Sequence, residues 1–158
     1  MRLPKGLVAF ELIESIFLDD GEQDAPIIRT IRHLKKLGVD IEIDDFGSGH
    51  ASIVSLLRLN PTRLKISHDL IKPLTKSRLQ RKLVQSIIEM AKALDIGIIA
   101  EGVETMEHAE ILRELGCDIL QGYAFATAMT APCLFHFLLS SSSPAHPKEA
   151  PAKDKPQG

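Results

Sequence analysis

Five short apolar runs, each carrying or ending on a polar residue and each separated from the next by a helix-spaced stretch, constrain this chain most. The runs are 7–13 (LVAFELI), 39–43, 63–66, 98–100 and 119–120. Strands this short and apolar, joined by helices, build an α/β fold with a parallel sheet and right-handed crossovers. In the first helix Asp24 is the expected cap and Pro26 sits in the first turn. Ile27, Ile28, Ile31, Leu34 and Leu37 trace its buried stripe before Gly38 ends it. A short helix through Ile53, Leu56 and Leu57 stops at Pro61. Ser77 opens the longest helix, whose apolar positions Leu79, Leu83, Ile87, Met90 and Leu94 keep a spacing of three to four, and Gly97 closes the loop. Thr105 caps the next, turning Ile111, Leu112 and Leu115 inward, and Gly116 closes it. A last helix covers about 131–139. The unequal period excludes a solenoid array. Doubly wound and barrel arrangements both fit this alternation.

Residues 140–158 read SSSSPAHPKEAPAKDKPQG, without one branched aliphatic or aromatic side chain. Such a stretch cannot bury enough apolar surface to offset the entropy of ordering, so a disordered tail is expected and the fold is assigned to 1–139. Nineteen Lys and Arg against twenty-one Asp and Glu leave a net charge of −2. That balance argues against a partner such as DNA, whose phosphates call for a strongly basic surface. No apolar run approaches the roughly 20 residues of a membrane span. Glu11 and Glu14 interrupt the start before a signal-peptide core can form, so a cytoplasmic protein is expected. Cys117 and Cys133 have no metal-ligand spacing and read as reduced packing residues.

The polar residues in the runs point to chemistry. Glu11 interrupts the first, Asp44 and Asp45 end the second, Lys65 sits inside the third, Glu101 ends the fourth and Gln121 the fifth. Ligands of parallel α/β proteins gather at the carboxyl ends of strands. Anions crowded there are costly unless a cation compensates them. Oxygen ligands without Cys or clustered His favour a hard ion, magnesium or manganese, and adjacent Asp44 and Asp45 suit one or two such ions in phosphodiester hydrolysis. Lys65 would steady a phosphate or orient a water. Gly47-Ser48-Gly49 offers N–H groups to a phosphate, or simply a tight turn. Asp45-Phe46-Gly47 echoes a kinase magnesium loop, but the other kinase elements are missing. The six histidines share no metal spacing and read as surface or packing residues, and Glu104 suits either a site loop or a helix N-terminus.

Taken together and in order, Phe10-Glu11-Leu12-Ile13-Glu14-Ser15, Asp44-Asp45-Phe46-Gly47-Ser48-Gly49, Leu64-Lys65-Ile66, Ala100-Glu101-Gly102-Val103-Glu104-Thr105 and Gln121-Gly122-Tyr123 resemble EAL domains. These are bacterial phosphodiesterases that hydrolyse cyclic di-GMP to linear pGpG. The resemblance runs from about Leu7 to Leu139 and implies part of a TIM-like barrel with metal at its carboxyl mouth. It implies that Glu11, Asp44, Asp45 and Glu101 are metal-site carboxylates. Lys65, Glu101 and Asp45 would be catalytic, and Gln121, Gly47 and Ser48 would bind substrate. Glu14 would stabilise the Asp-Asp-Phe-Gly loop, through which the family forms homodimers. The expected partners are cyclic di-GMP and either a second copy or a domain completing the barrel. The departures are as specific as the match. No Glu-X-Leu-X-Arg stretch precedes Glu11, Ser67 stands where aspartate follows Leu-Lys-Ile, Ile13 replaces threonine and Ala128 replaces proline. A complete barrel needs about 250 residues. Five units in 139 therefore predict unpaired edges, an exposed apolar interior, and a chain that is weak or inactive alone and prone to self-association. The alternative is a non-catalytic remnant that binds cyclic di-GMP or another protein.

Overall fold

The computed structural model describes residue 4 and residues 6–13, 25–48 and 53–141. Outside them lie Glu14, the expected Asp24 cap, Gly49 and the 142–158 stretch assigned to a tail. The elements run β1 (Ala9–Ile13), α1 (Ala25–Leu37), β2 (Asp40–Phe46), α2 (Ile53–Leu59), β3 (Arg63–Ile66), α3 (His68–Ile71), α4 (Arg78–Ala93), β4 (Gly97–Ala100), α5 (Met106–Glu114), β5 (Ile119–Leu120) and α6 (Ala131–Ser141). The chain divides into compact units at Met1–Ala126 and Thr127–Gly158. The second holds α6, which carries exposed Leu134, Phe135 and Phe137.

In the first unit all described strands are parallel and stand in sequence order, β1 to β5. A doubly wound sheet reverses its order at a switch point, whereas a barrel adds each strand on the same side. This winding is the barrel kind. Ser77 caps α4 by accepting from the Gln80 N–H at 3.2 Å, and Thr105 caps α5 by accepting from His108 at 3.3 Å. Each such cap is worth about 1 kcal/mol.

Alternation along the strands sorts the sheet into two unlike faces. On one, Ile41, Ile43, Leu64, Ile66, Ile98 and Ala100 are fully buried in a core shared with Ile31, Leu56, Val84, Ile88 and Leu112 of the helices. Burying each large side chain contributes roughly 1.5–3 kcal/mol. The other face carries Glu11, Asp40, Glu42, Asp44, Arg63 and Lys65. Arg63 bonds Asp40 at 2.9 Å and also pairs with Glu42. The inner face is ionic at β2 and β3, where every second residue of Asp-Ile-Glu-Ile-Asp and Arg-Leu-Lys-Ile points inward, and apolar at Ile13 and Ile99, of which Ile13 is exposed. Further exposed apolar side chains include Phe10 on the other face of β1, Ile27 on α1, Ile53, Val54 and Leu57 on α2 and Ile119 on β5.

Local readings also shift. β1 begins at Ala9, and β2 continues through the two aspartates to Phe46. The buried face of α4 is Val84, Ile88 and Ala91, with Leu79 78% exposed and Leu83 also in solvent. At 100° per residue, Leu83 lies about 100° from Val84 and Leu79 about 180° from Ile88, so both point away from the buried arc. Cys117 is half-buried, but Cys133 is exposed on α6 and packs nothing in.

Candidate functional site

Parallel strands send all their carboxyl ends to one edge of the sheet, and Lys65 is the centre of what collects there. Its side chain is only 5% exposed, and its ammonium donates to Glu101 Oε1 at 2.7 Å, Glu11 Oε1 at 2.9 Å and Asp44 Oδ1 at 3.0 Å. The three carboxylates come from β1, β2 and the end of β4. Burial by itself pulls the Lys65 pKa down; the hydrogen bonds to Glu101, Glu11 and Asp44 outweigh it and hold the group above the ordinary lysine value. The amine stays cationic.

Asp45 is aimed differently from Asp44. The β2–β3 register shifts between Ile43 and Phe46, and Asp45 takes φ +55°, a left-handed backbone that aspartate tolerates better than most residues. The Asp45 N–H donates to the Asp44 carboxylate at 3.0 Å, and the Ser48 N–H closes the turn onto the Asp45 carbonyl at 3.1 Å. Gly47 in that turn has φ +95°, where a side chain would be strained. One result is that Asp44, Asp45 and Glu101 each offer an oxygen within 4.8 Å of the others.

Glu11, Asp44 and Glu101 contact one ammonium and Asp45 lies against Asp44 and Glu101, so four formal negative charges share a single lysine. An all-oxygen donor set of that charge fits a hard divalent cation. Asp44, Asp45 and Glu101 are the residues placed to hold it, with Glu11 at the margin on Lys65.

Main-chain bonds fix the other strand ends. Glu101 N–H donates to Ile66 O at 3.2 Å, Gln121 N–H to Ala100 O at 2.9 Å, and Val103 N–H to Gln121 O at 3.1 Å. Beside Glu101 opens a cavity of about 330 Å³ lined by His68, Glu101, Gly102, Glu104, Gln121, Gly122 and Tyr123. Lys65, Glu11, Asp44, Asp45 and Glu101 are thus brought together as the strand-end argument expects, and Gln121 reaches the cavity. Gly47 and Ser48 form the exposed turn after β2 and do not line it.

One site residue escapes sequence reasoning. His68 opens α3, a helix too short to show periodicity, and turns toward the cavity. The signal for it is position, two residues past the end of a strand that carries a site lysine. His108 is a buried packing histidine, as expected, held between Thr105 Oγ1 at 3.1 Å and the Lys72 carbonyl at 3.3 Å. Ser67 is buried and brings no carboxylate to the site.

The EAL domain family model matches residues 2–128. The cyclic di-GMP phosphodiesterase NbdA of Pseudomonas aeruginosa is 35% identical over 128 residues, 81% of this chain and 16% of that protein. Among solved structures, a MucR phosphodiesterase in complex with c-di-GMP matches with a TM-score of 0.72 and 36% identity. It covers 80% of this chain and 50% of that one; MucR is a Pseudomonas aeruginosa protein. A Klebsiella pneumoniae BlrP1 complex with manganese and c-di-GMP matches at 0.70 and 28% identity, over 79% of this chain and 31% of that one. The chain therefore spans half or less of each protein compared here. With five parallel strands wound in barrel order, the acidic strand ends gathered on Lys65, and a family match over most of its length, this chain belongs to the EAL domain family.

Proposed function

We propose that this chain carries part of the site of a divalent-metal-dependent phosphodiesterase that opens cyclic di-GMP to linear pGpG. One observation carries the reading: a buried lysine bonded to carboxylates from three strands, next to a further aspartate and an open cavity. The naming of relatives as cyclic di-GMP phosphodiesterases supports the same substrate.

Hydrolysis joins a water oxygen to one phosphorus while a 3′ oxygen leaves and takes up a proton. Asp44, Asp45 and Glu101 would hold the magnesium or manganese ion, which when bound lowers the pKa of water and neutralises phosphoryl charge. Lys65 cannot wander, because three acceptors fix its ammonium. It presents a preorganised positive charge to a phosphoryl oxygen and to the attacking water, its three N–H donors being taken by the carboxylates. Gln121 offers its amide to substrate across the cavity, and Gly47 and Ser48 offer a polar turn beside Asp45. Ser67 favours a second reading, in which cyclic di-GMP binds without turnover, since it leaves a carboxylate out of the acidic set.

The test is turnover of cyclic di-GMP by the purified chain with magnesium or manganese, beside Glu101→Ala. Metal-dependent pGpG formation that the substitution abolishes supports the enzyme. Binding without turnover supports the second reading, and a folded sample that neither binds nor turns over refutes both. Among the described residues no helix is long and apolar enough to cross a membrane.

A further inference from the structure

Glu101 owes its place to more than its strand. The Glu101-Gly102-Val103-Glu104 turn is gripped on two sides. On one side lies His68. A Cβ added to Gly102 would overlap the His68 Cδ2 and lie 2.7 Å from its Cγ and 2.8 Å from its Cβ, and Gly102 sits at φ +66°. The imidazole therefore rests directly on the glycine backbone, a seat that only glycine permits. On the other side lies Gly122. A Cβ there would overlap Val103 N and O and come within 2.8 Å of its carbonyl carbon. Val103 also donates to Gln121 O at 3.1 Å and accepts from Ala124 N–H at 2.8 Å.

His68 is held in its seat by shape more than by directed bonds. Its Nε2 is shut off from solvent and has no hydrogen-bond partner among the described residues, although Glu104 Oε1 lies 3.3 Å away in an ion-pair arrangement. A buried ring nitrogen without a hydrogen bond calls for an explanation, and a wedge that is placed by packing supplies one. The ring touches the turn at its second and fourth residues, directly beyond the carboxylate that reaches Lys65 at 2.7 Å.

We propose that His68 is a positioning residue, a wedge that holds the Glu101–Glu104 turn against β5 and so fixes the Glu101 carboxylate beside Lys65, Asp44 and Asp45. The wedge deepens the metal-site reading of Glu101, but its mechanical half stands without that reading.

The test uses the full chain with His68→Ala, which empties the seat, and His68→Phe, which refills it without the nitrogen. Two readouts are taken with the thermal midpoint: amide exchange at Val103, and Mn²⁺ affinity by electron paramagnetic resonance, with Glu101→Ala as reference. His68→Ala is expected to speed Val103 exchange and to weaken Mn²⁺ binding about tenfold, the usual scale for residues that orient a ligand. His68→Phe is expected to restore both to within about threefold of the parent. A merely structural histidine would lower the midpoint without this split between the variants. Unchanged Val103 exchange in His68→Ala overturns the proposal, as does a Phe variant no better than Ala. If Glu101→Ala leaves Mn²⁺ affinity untouched, the metal reading fails, and Val103 exchange alone decides whether the wedge exists.

Discussion

Lys65→Met isolates the electrostatic centre of the site. The substitution keeps most of the side chain's volume in a position only 4% exposed and removes the charge that three carboxylates share. At about 3 Å and an effective dielectric of about 20, each contact is worth roughly 5 kcal/mol of gross Coulomb energy. The net loss is far smaller, because the ammonium recovers its own hydration on unfolding and the carboxylates are partly solvated already. Breaking a buried pair costs about 3–5 kcal/mol. Here Asp44 and Glu101 are about a fifth exposed and Glu11 about half, which moves the expected cost to the lower end, about 3 kcal/mol. Urea unfolding at pH 7 should show a reduced midpoint with an unchanged m-value. The pH dependence has a definite sign. Lys65 has a raised folded pKa, so its contribution is complete below the unfolded lysine value of about 10.4 and is lost only as pH rises above it. The difference between parent and variant should therefore stay flat from about pH 6 to 10 and shrink beyond. A cost below about 0.5 kcal/mol would refute the picture of a buried cation holding an anionic cluster together.

The two cysteines should separate by reactivity: burial pushes the Cys117 thiol up to about 11, so at pH 8 iodoacetamide should label exposed Cys133 and leave Cys117 until the chain unfolds. Because that thiol is raised, any stability it lends is complete below its ordinary value of 9.0 and is lost as pH climbs through about 11. On α4, Ile88→Ala should cost about 2–4 kcal/mol in urea unfolding, whereas Leu79→Ser should stay within about 0.5 kcal/mol; comparable losses would overturn the assigned faces. In sedimentation, the chain should self-associate with rising concentration through the β1 edge, and Phe10→Lys should shift it toward monomer; an unaltered profile would place the contact elsewhere.

Much of the fold was legible because each strand carries branched aliphatic residues in a short run and the longer helices α1, α4 and α5 end on a glycine or open on a capping hydroxyl. Ser77, Thr105, Gly38 and Gly116 mark boundaries by local chemistry, which tertiary context did not override. Alternation alone fits two topologies; the barrel winding was legible only through the ordered motifs that resemble EAL domains, and the strand order agrees with it. Of the helix-spaced apolar positions on α4, Ile87, Met90 and Leu94 pack against the core, whereas Leu79 and Leu83 share the spacing and point to solvent; periodicity reports a face but not which of its members meet the core. The acidic cluster was visible because strand ends converge whatever the register. The His68 seat was not, because it depends on the close approach of a ring to one glycine backbone 34 residues away in sequence, a contact that no spacing encodes.

The two-faced sheet also guards its own assembly. Asp40, Glu42 and Asp44 alternate with Ile41 and Ile43 along β2, and Arg63 and Lys65 alternate with Leu64 and Ile66 along β3. A slip of one residue between these strands would turn carboxylates toward the apolar layer and isoleucines onto the cations, reversing every contact at once. Mispaired intermediates are thereby disfavoured at each rung. The charges on the inner face thus discriminate among pairings during folding, a role that would survive even in a relative that had lost its chemistry.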